Sequence, residues 1–206
     1  MNGLKRHERA GFTLVEVMVA IGIMTVGSLG ILSMHNAVSG ANRSAQEMNT
    51  ALAITERWIE RIERDSLSWS RQGLSTSELT GTAYLSPLAT TVDKTDWLRP
   101  LPADTDESYG FDYFGNDTRV AGQIKYCTNL RLYWLRQGSS ARVDVRTFWY
   151  RAGHIPGSAT HPQWVAGSDF RGAACDAGTA DGWGLATAPN VDVIFASTVV
   201  SWLRRN

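Results

Sequence analysis

Residues 6–34 read RHERAGFTLVEVMVAIGIMTVGSLGILSM, a basic stretch that turns apolar at Phe12. From Phe12 to Met34 one residue ionises, Glu16. A helix over this run is about 34 Å long at 1.5 Å per residue, enough for a hydrocarbon core of about 30 Å. A carboxylate at membrane depth is expensive and usually marks a function. No basic side chain inside the run stands ready to pair with it.

Outward from this run, residues 1–11 are short, polar and net basic, with Lys5, Arg6 and Arg9 against Glu8. Such a flank stays on the cytoplasmic side. An ordinary secretory signal has an apolar centre of about 7–15 residues before a small-residue cleavage site. AVSGA at 37–41 imitates such a site, but the run is too long and carries an acid, so it reads as a retained anchor. Gly22, Gly27 and Gly30 interrupt it. Each weakens a helix by about 1 kcal/mol relative to alanine, and each permits close helix approach in lipid.

No proline interrupts residues 12–65, so one helix of about 80 Å is expected. Beyond the membrane part, Ala41, Ala45, Met48, Leu52, Thr55, Ile59 and Ile62 recur at steps of four and three and predict a buried stripe. Arg43, Glu47, Glu56, Arg57, Glu60, Arg61 and Arg64 form the opposite, solvated face, with Glu60 and Arg64 in the favourable i,i+4 order.

Past Asp65 the composition changes. Residues 66–121 are rich in Ser, Thr, Gly and Asp, with Pro87, Pro100 and Pro102, and read as loops with short pieces of structure. QIKYCTNLRLYWL at 123–135 alternates around Ile124, Tyr126, Leu130, Leu132 and Trp134, and RVDVRTFWY at 142–150 alternates around Val143, Val145, Thr147 and Trp149. Joined by the turn RQGSSA, they predict an antiparallel hairpin. Residues 152–190 form a glycine-rich excursion, and NVDVIFASTVVSWL at 190–203 predicts a last strand. Cys127 and Cys175 fit no metal spacing. Outside the cytoplasm they are expected to pair, stapling the excursion to the first hairpin strand; two unrelated buried thiols are the alternative.

Twenty basic and 20 acidic side chains in 206 residues leave no basic stripe for nucleic acid. No P-loop, G-x-S-x-G or H-E-x-x-H motif occurs, so the chain is expected to be no enzyme and to hold no cofactor or metal. His154 and His161, on both sides of Pro156, lack further ligands and read as exposed loop residues. CDAGTADGWG at 175–184 only faintly resembles a calcium loop, with Asp176 and Asp181 but no terminal glutamate. Trp134, Trp149 and Trp202 are expected in packing, while Trp164 and Trp183 are the candidates for partner contact.

The Gly11–Phe12 junction, the acid at the fifth position after it and the long apolar continuation together resemble the class III signal of type IV pilins and type II secretion pseudopilins. VEVMVA and the following G-x-L-G step further resemble the PilV group of type IV pilus minor pilins. The resemblance covers residues 5–40. It implies an α+β fold, a long N-terminal helix with a membrane-embedded first half packed on an antiparallel β-sheet domain. It also implies four segments: a cleavable leader at 1–11, a transmembrane and filament-core helix at 12–34, an amphipathic continuation at 35–65, and an extracytoplasmic β-rich domain at 66–206.

By the same resemblance, prepilin peptidase cuts after Gly11 and Phe12 becomes an N-methylated terminus. Glu16 then pairs with that amine, in its own chain or a neighbour's. Partners implied are the major pilin, other minor pilins, the inner-membrane assembly platform and a large tip adhesin. The chain would sit in the inner membrane before assembly and at the pilus tip or cell surface after it. Because the topmost subunit of related tip complexes lacks the acid, Glu16 implies a place just below the tip. The expected role is a minor pilin that primes assembly for adhesion or twitching motility. The alternatives are a type II secretion pseudopilin and, from another class, a membrane-anchored extracytoplasmic enzyme or binding module.

Overall fold

The computed structural model describes residues 13–69, 79, 81–100, 107–151, 175–182 and 191–202. One helix, α1 (Leu14–Trp69), is followed by strands β1 (Gly110–Phe111), β2 (Asp117–Thr118), β3 (Tyr126–Arg136) and β4 (Ser140–Tyr150), a short helix α2 (Ala177–Gly182), and β5 (Val191–Ser201). The chain divides into two compact units, Met1–Arg43 and Ser44–Asn206. In the first, the described part is helix, and its apolar side chains from Leu14 to Val38 are exposed. By length and composition this helix is apolar enough to cross a membrane.

In the second unit the strands form an antiparallel sheet of order β2-β1-β3-β4-β5. The two strand signals at 123–135 and 142–150 meet as expected, Tyr126 opposite Trp149 and Leu132 opposite Val143. Gly138, with φ of 74°, supplies the left-handed residue of the turn between them. The α+β expectation thus holds: a long helix and an antiparallel sheet, their apolar faces joined.

That junction shows why the sequence alternates. Tyr126, Leu130, Leu132, Val143, Val145 and Trp149 face α1 and are buried with Ala51, Ile54, Trp58 and Ile62. Between the stacked layers three threonine hydroxyls meet, and one left unpaired there would cost about 1–3 kcal/mol. Thr55 Oγ1 lies 2.8 Å from Thr147 Oγ1, which lies 3.4 Å from that of Thr128. Further along α1, the Asp65 carboxylate accepts from the backbone N–H groups of Ala83, Tyr84 and Leu85 at 2.8, 2.8 and 3.2 Å. This clamps the following loop to the helix.

The expected stripe on α1 needs correction. The buried residues are Glu47, Ala51, Ile54, Thr55, Trp58, Ile62 and Trp69, whereas Met48 and Leu52 are 44% and 43% exposed. Two causes displaced it. Trp58 and Trp69 bring the largest apolar surfaces, and Glu47, assigned to the solvated face, is 3% exposed because Lys125 meets it at 3.1 Å. Arg61 is likewise drawn in, bidentate on Asp117 at 3.0 and 3.3 Å with its guanidinium over the Trp58 ring. Charged residues paired across the core edge do not follow a hydropathy wheel.

The outer face of the sheet carries the staple. Cys127 and Cys175 form a disulfide, Cα–Cα 5.3 Å, with both residues fully buried. Around it Ile124, Phe148, Tyr150, Ala180 and Val191 make a second core. Arg146 fixes α2 there, donating to Asn129 Oδ1 at 2.9 and 3.1 Å and to Asp181 Oδ1 at 2.5 Å. Burial pushes the Arg146 guanidinium below its ordinary range, and Asp181 opposes that shift. With a sequence separation of 48 residues, replacing both cysteines by serine should cost about 4 kcal/mol in the loop-entropy model. Urea unfolding reads this as a lower midpoint; equal midpoints for the two proteins would contradict it.

Candidate functional site

The chemistry-bearing segment is the start of α1. Thr13 precedes the helix, and its side chain and that of Glu16 close on each other. The Glu16 backbone N–H donates to Thr13 Oγ1 at 3.3 Å, while Thr13 N–H and its hydroxyl donate to Glu16 Oε2 at 2.9 and 3.1 Å. This is a capping box, in which two backbone donors orphaned at a helix start are satisfied reciprocally. In lipid an unsatisfied donor costs several kcal/mol, so the box matters more there than in water. T-x-x-E at residues 13–16 signals it, yet reading Glu16 only as a charge had hidden this second role.

The box occupies one carboxylate oxygen. Among the described residues Oε1 takes no hydrogen bond and Glu16 forms no ion pair. The carboxylate is therefore turned back toward the helix start with one oxygen to spare, where the macrodipole also favours negative charge. The junction residues Gly11 and Phe12 lie outside the described residues, as do His154, His161, Trp164 and Trp183.

Elsewhere the other named residues resolve into structural roles. Asp181 is engaged by Arg146 at 2.5 Å. Trp149 is buried in the main core, with Trp134 and Trp202 packed against it; the Trp134 indole donates to Thr91 O at 2.9 Å. Trp97, which sequence reasoning passed over, lies under two guanidinium groups, Arg131 at 4.5 Å and Arg146 at 4.3 Å from the ring centroid. Each such contact contributes about 0.5–2 kcal/mol. Tyr126, beside the Glu47–Lys125 pair, has its phenol pushed up to about 12, chiefly by burial.

Residues 6–32 match the family model of the prokaryotic N-terminal methylation motif. No curated protein and no solved structure matches the chain. The motif, the membrane-capable helix and the α+β architecture support a type IV pilin-like or pseudopilin chain, a substrate of prepilin peptidase anchored in an inner membrane.

Proposed function

We propose that the chain is a minor pilin of a type IV pilus, resembling the PilV group, that primes filament assembly just below the tip and helps display a tip adhesin. The observation that carries this reading is the methylation-motif match across residues 6–32, which contains the Gly11–Phe12 junction and Glu16. Prepilin peptidase removes residues 1–11 and leaves an amine at Phe12. The Glu16 oxygen outside the capping box receives that amine or a neighbour's. A lone buried carboxylate costs several kcal/mol or protonates, whereas a close cation offsets much of that cost. Helix–helix packing in lipid has little hydrophobic drive, so this pair supplies selectivity when a subunit leaves the membrane for the filament.

The role assigns no reaction to the chain; chemistry is done to it. The extracytoplasmic domain meets the other minor pilins, and the N-terminal helix meets the assembly platform. Mass spectrometry of the N-terminus in sheared fibres tests the proposal. The expected peptide begins with N-methylated Phe12 and co-purifies with pilus subunits and a large adhesin. An intact Met1 terminus defeats the prepilin reading, and a mature chain that fractionates only with a secretion apparatus favours the pseudopilin.

A further inference from the structure

β5 ends one side of the sheet and carries VIFASTVV at 193–200, a run with no charge, proline or glycine. Edge strands are usually short, charged or kinked, which keeps them from pairing with stray chains. The opposite edge follows that rule: β2 has two residues, and Arg61 grips its Asp117 at 3.0 Å. β5 does not. It runs beside β4 from Val191 opposite Tyr150 to Ser201 opposite Ser140, without a bulge. Its one ionisable group, Asp192, is held by Arg151 at 2.7 Å. A continuous apolar run is the pattern of an interior strand, covered on both faces.

Both cores reach this strand and stop there. Ile194 packs against the main core and Val193 against the second. Their partners on β4, Thr147 and Phe148, are fully buried, whereas Ile194 and Val193 are half-buried. Further along, Phe195 and Val199 are 62% and 60% exposed. The main chain is open at the same place. Trp202 N–H donates to Ser139 O at 2.8 Å, which sets the alternation of antiparallel bonds between β4 and β5. Ile194, Ala196, Thr198 and Val200 therefore bond to β4, while Val193, Phe195, Ser197 and Val199 turn N–H and C=O outward. Among the described residues nothing meets those outward groups. A second extended backbone is the partner whose own groups repeat at that spacing.

We propose that the β5 edge takes an extended segment of a different protein as a sixth strand, paired along Val193–Val200. Main-chain bonds supply the affinity, and alternate side chains select the segment. Those beside Ile194 and Ala196 continue the main core, and those beside Val193 and Phe195 continue the outer one, so the segment is apolar on both faces. A second copy of this chain does not serve. β5 runs in the direction of α1: Glu47 meets Lys125 level with the start of β5, and Glu63 accepts from Thr198 at 3.1 Å near its end. Two β5 edges paired antiparallel would point the α1 helices in opposite directions, which chains anchored by the same end do not allow. Paired parallel, one sheet turns over and sets its α1 side against the other's outer face, so neither core continues. The inference goes beyond the proposed pilus role and takes from it only the membrane anchor.

The test titrates the full-length chain in detergent micelles into a fluorescein-labelled peptide of alternating valine and threonine, followed by anisotropy. A second peptide carries N-methyl groups on alternate amides, which removes the donors of one edge and keeps the side chains. The first peptide is expected to bind, and the methylated one to bind at least about tenfold more weakly. Phe195→Pro deletes an outward N–H without touching a bond to β4 and should bring the same loss. So should Ser197→Lys, which puts a charge on the exposed edge; circular dichroism checks that both variants stay folded. No binding of the first peptide, equal binding of the two peptides, or unchanged binding in both variants would overturn the proposal. A dimer in light scattering that Ser197→Lys disperses would also overturn it, by making a second copy the occupant. None of these readings depends on whether the leader is cut, so the pilus role stands or falls separately.

Discussion

A chain carrying a bulky residue in place of Gly11, Gly11→Leu for instance, is expected to keep its leader, remain in the membrane and disappear from sheared fibres. The reason is positional. In the prepilin reading the peptidase cuts the bond between Gly11 and Phe12, just ahead of a helix that begins at Leu14, and a branched side chain at Gly11 crowds that bond. With the leader retained, Phe12 has no amine, and no cation is delivered to the free oxygen of Glu16. Immunoblot mobility and N-terminal mass spectrometry read the result. A mature Phe12 terminus in the variant would refute the assignment of the junction.

The second large effect separates the two roles of Glu16. Glu16→Ala removes both the capping acceptor and the charge, and should leave cleavage after Gly11 largely intact while strongly reducing recovery in fibres. Glu16→Gln keeps the acceptor, because glutamine also closes a capping box. Loss of a cap costs about 0.5–2 kcal/mol, whereas leaving one member of a buried ion pair alone costs about 3–5 kcal/mol. On those magnitudes the glutamine variant should assemble almost as poorly as the alanine one. Wild-type recovery of Glu16→Gln in fibres would show that helix capping is all the acid does.

What the sequence disclosed follows from how local each signal is. The hairpin of β3 and β4 was legible because Leu130, Leu132, Val143 and Val145 alternate with polar partners over long strands. The cysteine pair was legible from number and from the compartment the leader and apolar run led one to expect. The buried stripe of α1 was not, because it depends on Lys125 and Asp117, remote residues that draw Glu47 and Arg61 inward. β1 and β2 are two residues each, too short for a period to register. At the candidate site the junction and the acid stood out in sequence, whereas the Thr13 partnership needed geometry to show which carboxylate oxygen was left over.

The disulfide also bears on the order in which the domain is built. β4 finds its second neighbour only after the 151–190 excursion, while β3 and β4 are joined by a tight turn and can zip locally. Linking Cys127, which lies opposite Phe148 in that hairpin, to Cys175 shortens the open path to β5 from about 40 residues to about 16. Loop-closure entropy then falls by about 0.8 kcal/mol. Oxidation thus acts as a chain shortcut, and a domain folding on the oxidising side of a membrane would complete its sheet sooner than the same chain held reduced.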